Sequence, residues 1–425
     1  LKTLTKASIA VRQTDLTLDN NQLQQIVQLS RTLNGETVPL RLCVRMASAL
    51  EEIVPCMQAY VWLADNGMLR SIINNRVVTI APDESAAGLA YLEKRLVHIS
   101  NPSENDRLNP EIDHLNGASL GHLLTQPVFD PSGKEVLAVL QLMNSAIHPF
   151  SSSVISMLSE WALVAGNLFV ATRHNYQLQQ AFDSMVNVVS SALDTRDYIS
   201  AGHSRRVTLY AIELARMMEV PHDEIKQIRY AGLLHDIGKI AIPELILLRD
   251  RRPTEDEFQI MKRHVYITRS LLEKIKWPDE LGQVTDIASA HHEHIDGSGY
   301  PRGKKGDIIP RAGKILAVCD VFDSLSSRRP YEDRMPIDEI IQLLDRETGT
   351  SFEPFVVYHF KNIPLDKIVQ IMEYGHADSI SQEHLTYLEQ FAFNDLEKVN
   401  KLSSEEQKKL FRIFNLYYSR KYRPL

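Results

Sequence analysis

Apolar and polar positions change their period along the chain, and the changes divide it into regions. Between residues 40 and 53 apolar residues recur at threes and fours, the spacing of one helical face. Residues 59–63 and 77–80 are short β-rich runs and read as strands. Residues 127–134 pass from a strand into the polar turn around Pro131-Ser132-Gly133, and an apolar run resumes over residues 135–142, which predicts a hairpin. An antiparallel sheet with helices on one face is the simplest architecture for this first region.

From residue 152 to 194 the pattern is helical almost without a break. Ile155, Leu158, Ala162, Ala165 and Phe169 recur at alternating threes and fours, and so do Leu178, Phe182, Met185, Val189 and Ala192. The functional reading is a parallel dimer stalk joining the flanking regions; the alternative is a helix packed on its own domain. The pattern from 185 to 363 is all-helical. Residues 364–425 keep helical spacing and end in a basic segment with Arg420, Lys421 and Arg423, for which a solvated charged face is the default. The expected fold class is therefore multidomain. It comprises an N-terminal α+β domain at 20–151, a helical linker at 152–184, an all-α helical bundle at 185–363 and a C-terminal helical extension at 364–425.

Composition narrows the function classes. A length of 425 residues exceeds one ordinary core. The net charge of −7 offers no basic field for a nucleic-acid polymer, although a few cations can still be focused on a small anion. Cys43, Cys56 and Cys319 form no CxxC pair and no disulfide framework, which fits a cytoplasmic location. No membrane span is expected, since no apolar run reads as long enough for a bilayer, and the N-terminus lacks a signal-peptide pattern.

The chemistry lies in an ordered set of histidines and carboxylates. His203 follows Asp197; His235-Asp236-Ile237-Gly238-Lys239 closes an apolar helix; His264 stands on a further helical segment. His291-His292-Glu293 leads into Asp296-Gly297-Ser298-Gly299-Tyr300-Pro301, and Asp320-Val321-Phe322-Asp323 follows the apolar run 315–318. Imidazole with carboxylate suits iron, manganese, zinc or nickel rather than calcium. Helix neighbours differ by about 100° in direction, so His235 and Asp236 reach one metal region only where the helix end faces it. A short carboxylate can then bridge two metals about 3.5–4 Å apart, which clamp a water and the phosphate oxygens of an in-line displacement. Lone histidines such as His222, His359, His376 and His384 read as ordinary surface or core residues.

This set resembles the HD superfamily of metal phosphohydrolases, specifically its HD-GYP branch, over about 180 residues. The resemblance implies a helical bundle around two divalent metal ions, iron or manganese. One would be held by His203, His235, Asp236 and Asp320, the other by Asp236, His264, His291 and His292. It implies cyclic di-GMP as substrate, cut to the linear dinucleotide pGpG, with a second cut to GMP left open, and Asp236 and Lys239 as catalytic residues. Lys239, Tyr300, Asp323 and Arg329 would contact substrate. Two departures stand out. Some members hold a third metal through a glutamate where this chain has Ile199. Members also commonly follow Arg-Pro-Tyr with a basic residue, whereas Arg329-Pro330-Tyr331 is followed here by Glu332 and Asp333. Arg334 is a candidate replacement. The second departure keeps an alternative open, a slow or inactive metal-loaded receptor of cyclic di-GMP that signals through partner proteins.

Residues 1–170 resemble GAF domains, through Asn101-Pro102, the segment Asp106-Arg107-Leu108-Asn109-Pro110-Glu111-Ile112-Asp113, and Val139-Leu140-Gln141-Leu142-Met143-Asn144 before Pro149-Phe150-Ser151. That implies a small-ligand sensor or dimerisation module, hence a homodimer through the GAF-like domain and the helical linker.

Overall fold

The computed structural model describes residues 33–100, 120–145, 149–197, 202–249, 251–327, 334–401 and 405–419, with a few single positions besides. The chain divides into two compact units, Leu1–Phe182 and Asp183–Leu425.

The first unit is α+β. Helix α1 (Pro39–Ile53) begins with proline at a position where its missing N–H costs nothing, and buries Leu42, Cys43, Met46, Ala49 and Leu50 along one face. Six strands follow: β1 (Gln58–Asp65), β2 (Met68–Ile73), β3 (Arg76–Ile80), β4 (Val97–Ser100), β5 (Leu120–Phe129) and β6 (Val136–Ser145). They form one antiparallel sheet in the order β3-β2-β1-β6-β5-β4. The first two hairpins turn on Asn66-Gly67 and Asn74-Asn75, all with positive φ, which two-residue turns matching the strand twist require. In the β5–β6 hairpin, the Asp130 carboxylate accepts N–H bonds from Ser132, Lys134 and Glu135.

The sheet is covered on both faces, which corrects the one-sided arrangement read from the sequence. On β1, Ala59, Val61 and Leu63 point into a core with α1, whereas Tyr60, Trp62 and Ala64 point into a second core with Ala87 and Ala90 of α2 (Ala86–Glu93). Both sides of this strand are apolar, so neither can be left to water. Inside the second core, Trp62 Nε1 donates to Gln141 Oε1 at 2.6 Å, and Gln141 Nε2 donates to Asp113 Oδ1 at 2.8 Å.

Helix α3 (Ser152–Arg196) is one unbroken helix of 45 residues. By length and composition it could cross a membrane, contrary to the expectation that no apolar run is long enough. Its apolar residues Val154, Leu158, Trp161, Ala162, Ala165 and Phe169 instead complete the first core of the N-terminal unit. Gly166 permits close approach, since a Cβ there would meet the Phe129 carbonyl oxygen at 2.2 Å.

Apart from the end of α3, the second unit is built from shorter helices. They are α4 (His203–Met217), α5 (His222–Leu234), α6 (Glu244–Leu247), α7 (Glu255–Leu272), α8 (Val284–Ala288), α9 (Arg311–Ser326), α10 (Ile337–Arg346), α11 (Pro354–Lys361), α12 (Leu365–Met372), α13 (Gln382–Leu388) and α14 (Glu405–Tyr418). Phe322 of α9 packs edge-on against Tyr210, Phe360 and Phe393 at ring separations of 5.1, 4.9 and 5.2 Å. Arg334 caps α14 by donating to the Tyr418 and Tyr417 carbonyls at 2.7 and 3.4 Å. The basic residues Arg420, Lys421 and Arg423 lie outside the described residues.

Helix α7 starts in a capping box: Thr254 accepts from the Glu257 N–H, and the Glu257 carboxylate accepts from the Thr254 N–H. Thr254→Ala should cost about 1 kcal/mol of stability, read in urea unfolding. Hydrogen bonding from Arg251, then from the Thr254 backbone, pulls the Glu257 carboxyl down to about 2. Its contribution is complete above the ordinary carboxyl range and is lost as pH falls through that lowered value. Glu257→Gln should therefore be less stable than the parent at pH 7, with the difference closing between about pH 4.5 and 2.

Candidate metal centre

The apolar run of α5 ends on His235, and a short 3-10 turn, Ile237–Ala241, begins just beyond Asp236. Two glycines set the position of this corner. A Cβ on Gly232 would meet the Thr208 hydroxyl of α4 at 2.6 Å, and one on Gly238 would meet the His264 carbonyl oxygen of α7 at 1.9 Å. Thr268, fully buried, then ties the corner to α7: its hydroxyl accepts from the Gly238 N–H at 2.9 Å and donates to the His235 carbonyl at 3.0 Å. His264, four residues before Thr268 on α7, is thereby brought beside Asp236.

The side chains converge from five places in the chain. Asp236 Oδ2 lies 3.3 Å from His235 Nε2 and 3.9 Å from His203 Nε2, while its Oδ1 lies 3.3 Å from His264 Nε2. Asp320 of α9 places Oδ1 3.0 Å from His203 Nε2 and Oδ2 4.0 Å from His292 Nδ1. The His291 ring stands 4.8 Å from that of His235 and 4.1 Å from that of His292. Three groupings have ligand atoms close enough to hold an ion: His203, His235 and Asp320; His235, Asp236 and His291; and His264, His291 and His292. The seven residues expected as ligands are together in one cluster, six of them buried and His292 partly exposed.

The imidazoles are oriented by their backbone partners. His235, His264 and His291 each direct Nδ1 at the carbonyl three residues upstream, at 2.6, 2.7 and 2.7 Å. A carbonyl only accepts, so Nδ1 carries the proton and Nε2 presents a lone pair. Those three Nε2 atoms are buried and have no hydrogen-bond partner. A buried lone pair without a partner costs about 1–3 kcal/mol, and three of them aimed at one point fit a divalent ion.

Electrostatics divide the imidazoles. Burial, reinforced by His292 and His235, pushes His291 well below the usual histidine range. Burial likewise takes His292 down to about 3 despite Asp320. Burial lowers His264 too, although Asp236 opposes it. His203 differs: burial acts downward, but Asp320 and Asp323 outweigh it and raise it to about 9. Asp236 and Asp320 stay ionised, since the neighbouring Lys239 and histidines overcome their burial. Burial also acts downward on His235, but Asp236 and Asp320 outweigh it and raise it. The cluster offers imidazoles with two carboxylates, the donor set of a borderline divalent cation.

Not every residue expected at the substrate falls there. Asp323 is corrected to a supporting role: 1% exposed, it accepts from His203 Nδ1 at 2.8 Å and from Arg206 at 2.8 and 2.9 Å, and the Ser327 hydroxyl donates to it at 3.1 Å. It is enclosed and saturated, and it fixes the His203 ring. Lys239 reaches the cluster, with Nζ 2.6 Å from Asp236 Oδ2 and 3.7 Å from Asp197. Tyr300 lies over His292 with ring centroids 4.7 Å apart. Arg334, bound to α14, is not available as the replacement cation. Arg329, Tyr331, Glu332 and Ile199 lie outside the described residues, as do 101–107 and 109–111 of the GAF-like segment.

Two contributors escaped the sequence reading. Thr268 carries no signal of its own. Glu293, 3% exposed, accepts from the Arg302 and Lys304 N–H groups, both at 2.9 Å, and so clamps the loop that presents Tyr300. Its adjacency to His291-His292 was visible, but its loop partners were not.

The geometry is a histidine–aspartate cluster inside a helical bundle, with groups that could hold metal ions. Residues 187–356 match the HD domain family model, and that span includes Gly299-Tyr300-Pro301. A cyclic di-GMP phosphodiesterase of Thermotoga maritima is 34% identical over 220 residues, covering 52% of this chain and 59% of that protein. A cyclic di-GMP phosphodiesterase response regulator of Xanthomonas campestris is 39% identical over 167 residues, 39% of this chain and 44% of that one. A 3'3'-cGAMP-specific phosphodiesterase of Vibrio cholerae is 37% identical over 181 residues, 42% of this chain and 34% of its own length. The chain thus spans between a third and three fifths of the length of these relatives. The GAF domain of an Acinetobacter phosphoenolpyruvate-protein phosphotransferase is similar over 37% of this chain and 97% of its own, with 18% identity and a TM-score of 0.32.

Asp323→Ala would leave the Arg206 guanidinium buried without its anion and His203 without its anchor. Urea unfolding should register a loss of about 3–5 kcal/mol, and metal affinity of the folded fraction should fall about 10- to 100-fold. An unchanged metal affinity would remove Asp323 from the support of the site.

Proposed function

We propose that this chain is a binuclear metal-dependent phosphodiesterase that hydrolyses cyclic di-GMP to pGpG and onward to GMP. The observation that carries the reading is the convergence of three unpartnered Nε2 lone pairs on Asp236, with Asp320 and His203 alongside. His203, His235, Asp236 and Asp320 would hold one ion, and Asp236, His264, His291 and His292 the other, with Asp236 shared. Two bound iron or manganese ions would supply Lewis acidity to the phosphodiester and a nucleophile from water at neutral pH. The residues of the chain do the rest. His235, His264 and His291 keep their Nε2 lone pairs aimed by their own backbone carbonyls. Lys239, whose ammonium is held charged by Asp236 and Asp197 against its burial, neutralises charge gathering on a phosphate oxygen. Tyr300 and Arg329 would bind the dinucleotide.

The substrate is supported by the named activities of the relatives and by the Gly-Tyr-Pro turn. A GAF-like sensor and a homodimer complete the proposal. The dimer is supported by exposed Leu178, Met185 and Val188 on α3, apolar residues at coiled-coil spacing. The three free cysteines support a cytoplasmic location. A second reading, a metal-loaded cyclic di-GMP receptor with little turnover, is favoured by Glu332 and Asp333, whose carboxylates would repel a dianion.

Protein purified without oxygen should carry two iron or manganese ions per chain and release pGpG from cyclic di-GMP. Asp236→Ala should lose both ions and reduce turnover at least about 100-fold. Full metal and full turnover in that variant would sink the shared-carboxylate centre. Saturable binding of cyclic di-GMP without product, in protein carrying both metals, would decide for the receptor.

A further inference from the structure

One stripe of α7 meets the loop after His292. Phe258 and Lys262 lie one helical turn apart on it. Lys262 Nζ stands 4.5 Å from the Phe258 ring centroid and 5.4 Å from that of Tyr300, and the two rings meet edge-on at 6.5 Å. The next turn adds Tyr266, whose hydroxyl donates to the Pro301 carbonyl at 2.6 Å. The loop is held to this stripe and to the metal cluster together, because the Tyr300 N–H donates to the His292 carbonyl at 3.0 Å and its ring lies over the His292 imidazole. Gly299 makes that seat fit, since a Cβ there would meet the His294 nitrogen at 2.3 Å. Phe258 is 36% exposed and Lys262 half-buried. Among the described residues no carboxylate pairs with the Lys262 ammonium, whereas Lys239 and Lys314 are each paired.

The geometry points to a purine subsite that selects guanine, formed by Phe258, Lys262 and Tyr300 beside the metal cluster. It rests on the cyclic-dinucleotide reading and goes further by naming what tells one base from another. Tyr300 ties this patch to the cluster, since its ring lies over His292, and stacking on aromatic surface accepts any base. The ammonium does not. Guanine presents O6 and N7, two acceptors, along one edge, whereas adenine sets its N6 amino donor beside N7. Lys262, which no carboxylate pairs among the described residues, donates to the first and is opposed by the second. The cation–π contacts hold Nζ at the aromatic surface without using up its N–H donors.

Steady-state kinetics on the metal-loaded full chain test this with cyclic di-GMP, cyclic di-AMP and bis(p-nitrophenyl) phosphate, which has no purine. Lys262→Met should raise KM for cyclic di-GMP roughly 10- to 100-fold and for cyclic di-AMP less than about 3-fold, and Lys262→Arg should restore most of the loss. Phe258→Ala should raise KM for both dinucleotides together. An equal rise on both dinucleotides in Lys262→Met, or a fall in kcat accompanied by metal loss, would overturn the guanine subsite while leaving the phosphodiesterase standing. Wild-type protein that cleaves bis(p-nitrophenyl) phosphate but neither dinucleotide would instead sink the cyclic-dinucleotide reading, and the subsite with it.

Discussion

Three imidazoles are aimed inward by three carbonyls, and the arrangement of the second unit follows from that constraint. A histidine ring can present either nitrogen. Here the choice is made by backbone, because Gly232, Met261 and Ala288 each occupy the Nδ1 side of a ring. Gly232 belongs to the last turn of α5 and Ala288 ends α8, where carbonyls lack partners within their own helix. The helix end that needs a donor and the ring that needs an orientation thus satisfy each other. What remains is a set of lone pairs with no protein donor, in a pocket already holding two ionised carboxylates. Such a cluster is unfavourable alone. Buried carboxylates and unpaired nitrogens cost several kcal/mol together, and a bound cation would reverse the sign and so couple its binding to the stability of the fold around it.

The same economy explains the glycines and the threonine. Asp236 serves both halves of the cluster only if the end of α5 comes within van der Waals reach of α7. Gly238 permits that approach and Thr268 locks it with two hydrogen bonds. Neither residue touches a ligand atom, yet the 3.3 Å separations on both sides of Asp236 depend on them. Asp323 and Arg206 do the corresponding work for His203.

How much of this was legible in the sequence depends on whether the signal was local. His235-Asp236 and His291-His292 announce themselves because ligands adjacent in sequence at a helix end leave a pattern that chance seldom produces. The ordered set, with Lys239 and the Gly-Tyr-Pro turn, marks residues that the fold brings together. Asp323 was misread because its spacing from Asp320, one helical turn, is the same for a residue facing the site and for one behind a ligand; only burial separates them. Thr268 and Glu293 act on backbone groups brought near by folding, so no spacing could mark them. In the first unit, strands β2 and β4 were missed for a related reason. They are short, and half-buried positions blur the alternation. The second covered face of the sheet could have been read from Trp62 and Tyr60, which make both sides of β1 apolar.

The loop that follows the paired histidines shows how a metal centre and a recognition surface become one object. Glu293 takes the Arg302 and Lys304 N–H groups, Tyr266 donates to Pro301, and His292 accepts from Tyr300. Four attachments within about one turn of loop leave Tyr300 little freedom, so its ring is positioned by the residues that neighbour the ligands. Rigid placement of this kind lowers the ordering cost that a substrate would otherwise bear on binding. It also means that a displacement of His292 moves the aromatic surface with it. The sequence His291-His292-Glu293 thus places a ring of the cluster, the platform under Tyr300 and the clamp of its loop within three consecutive residues.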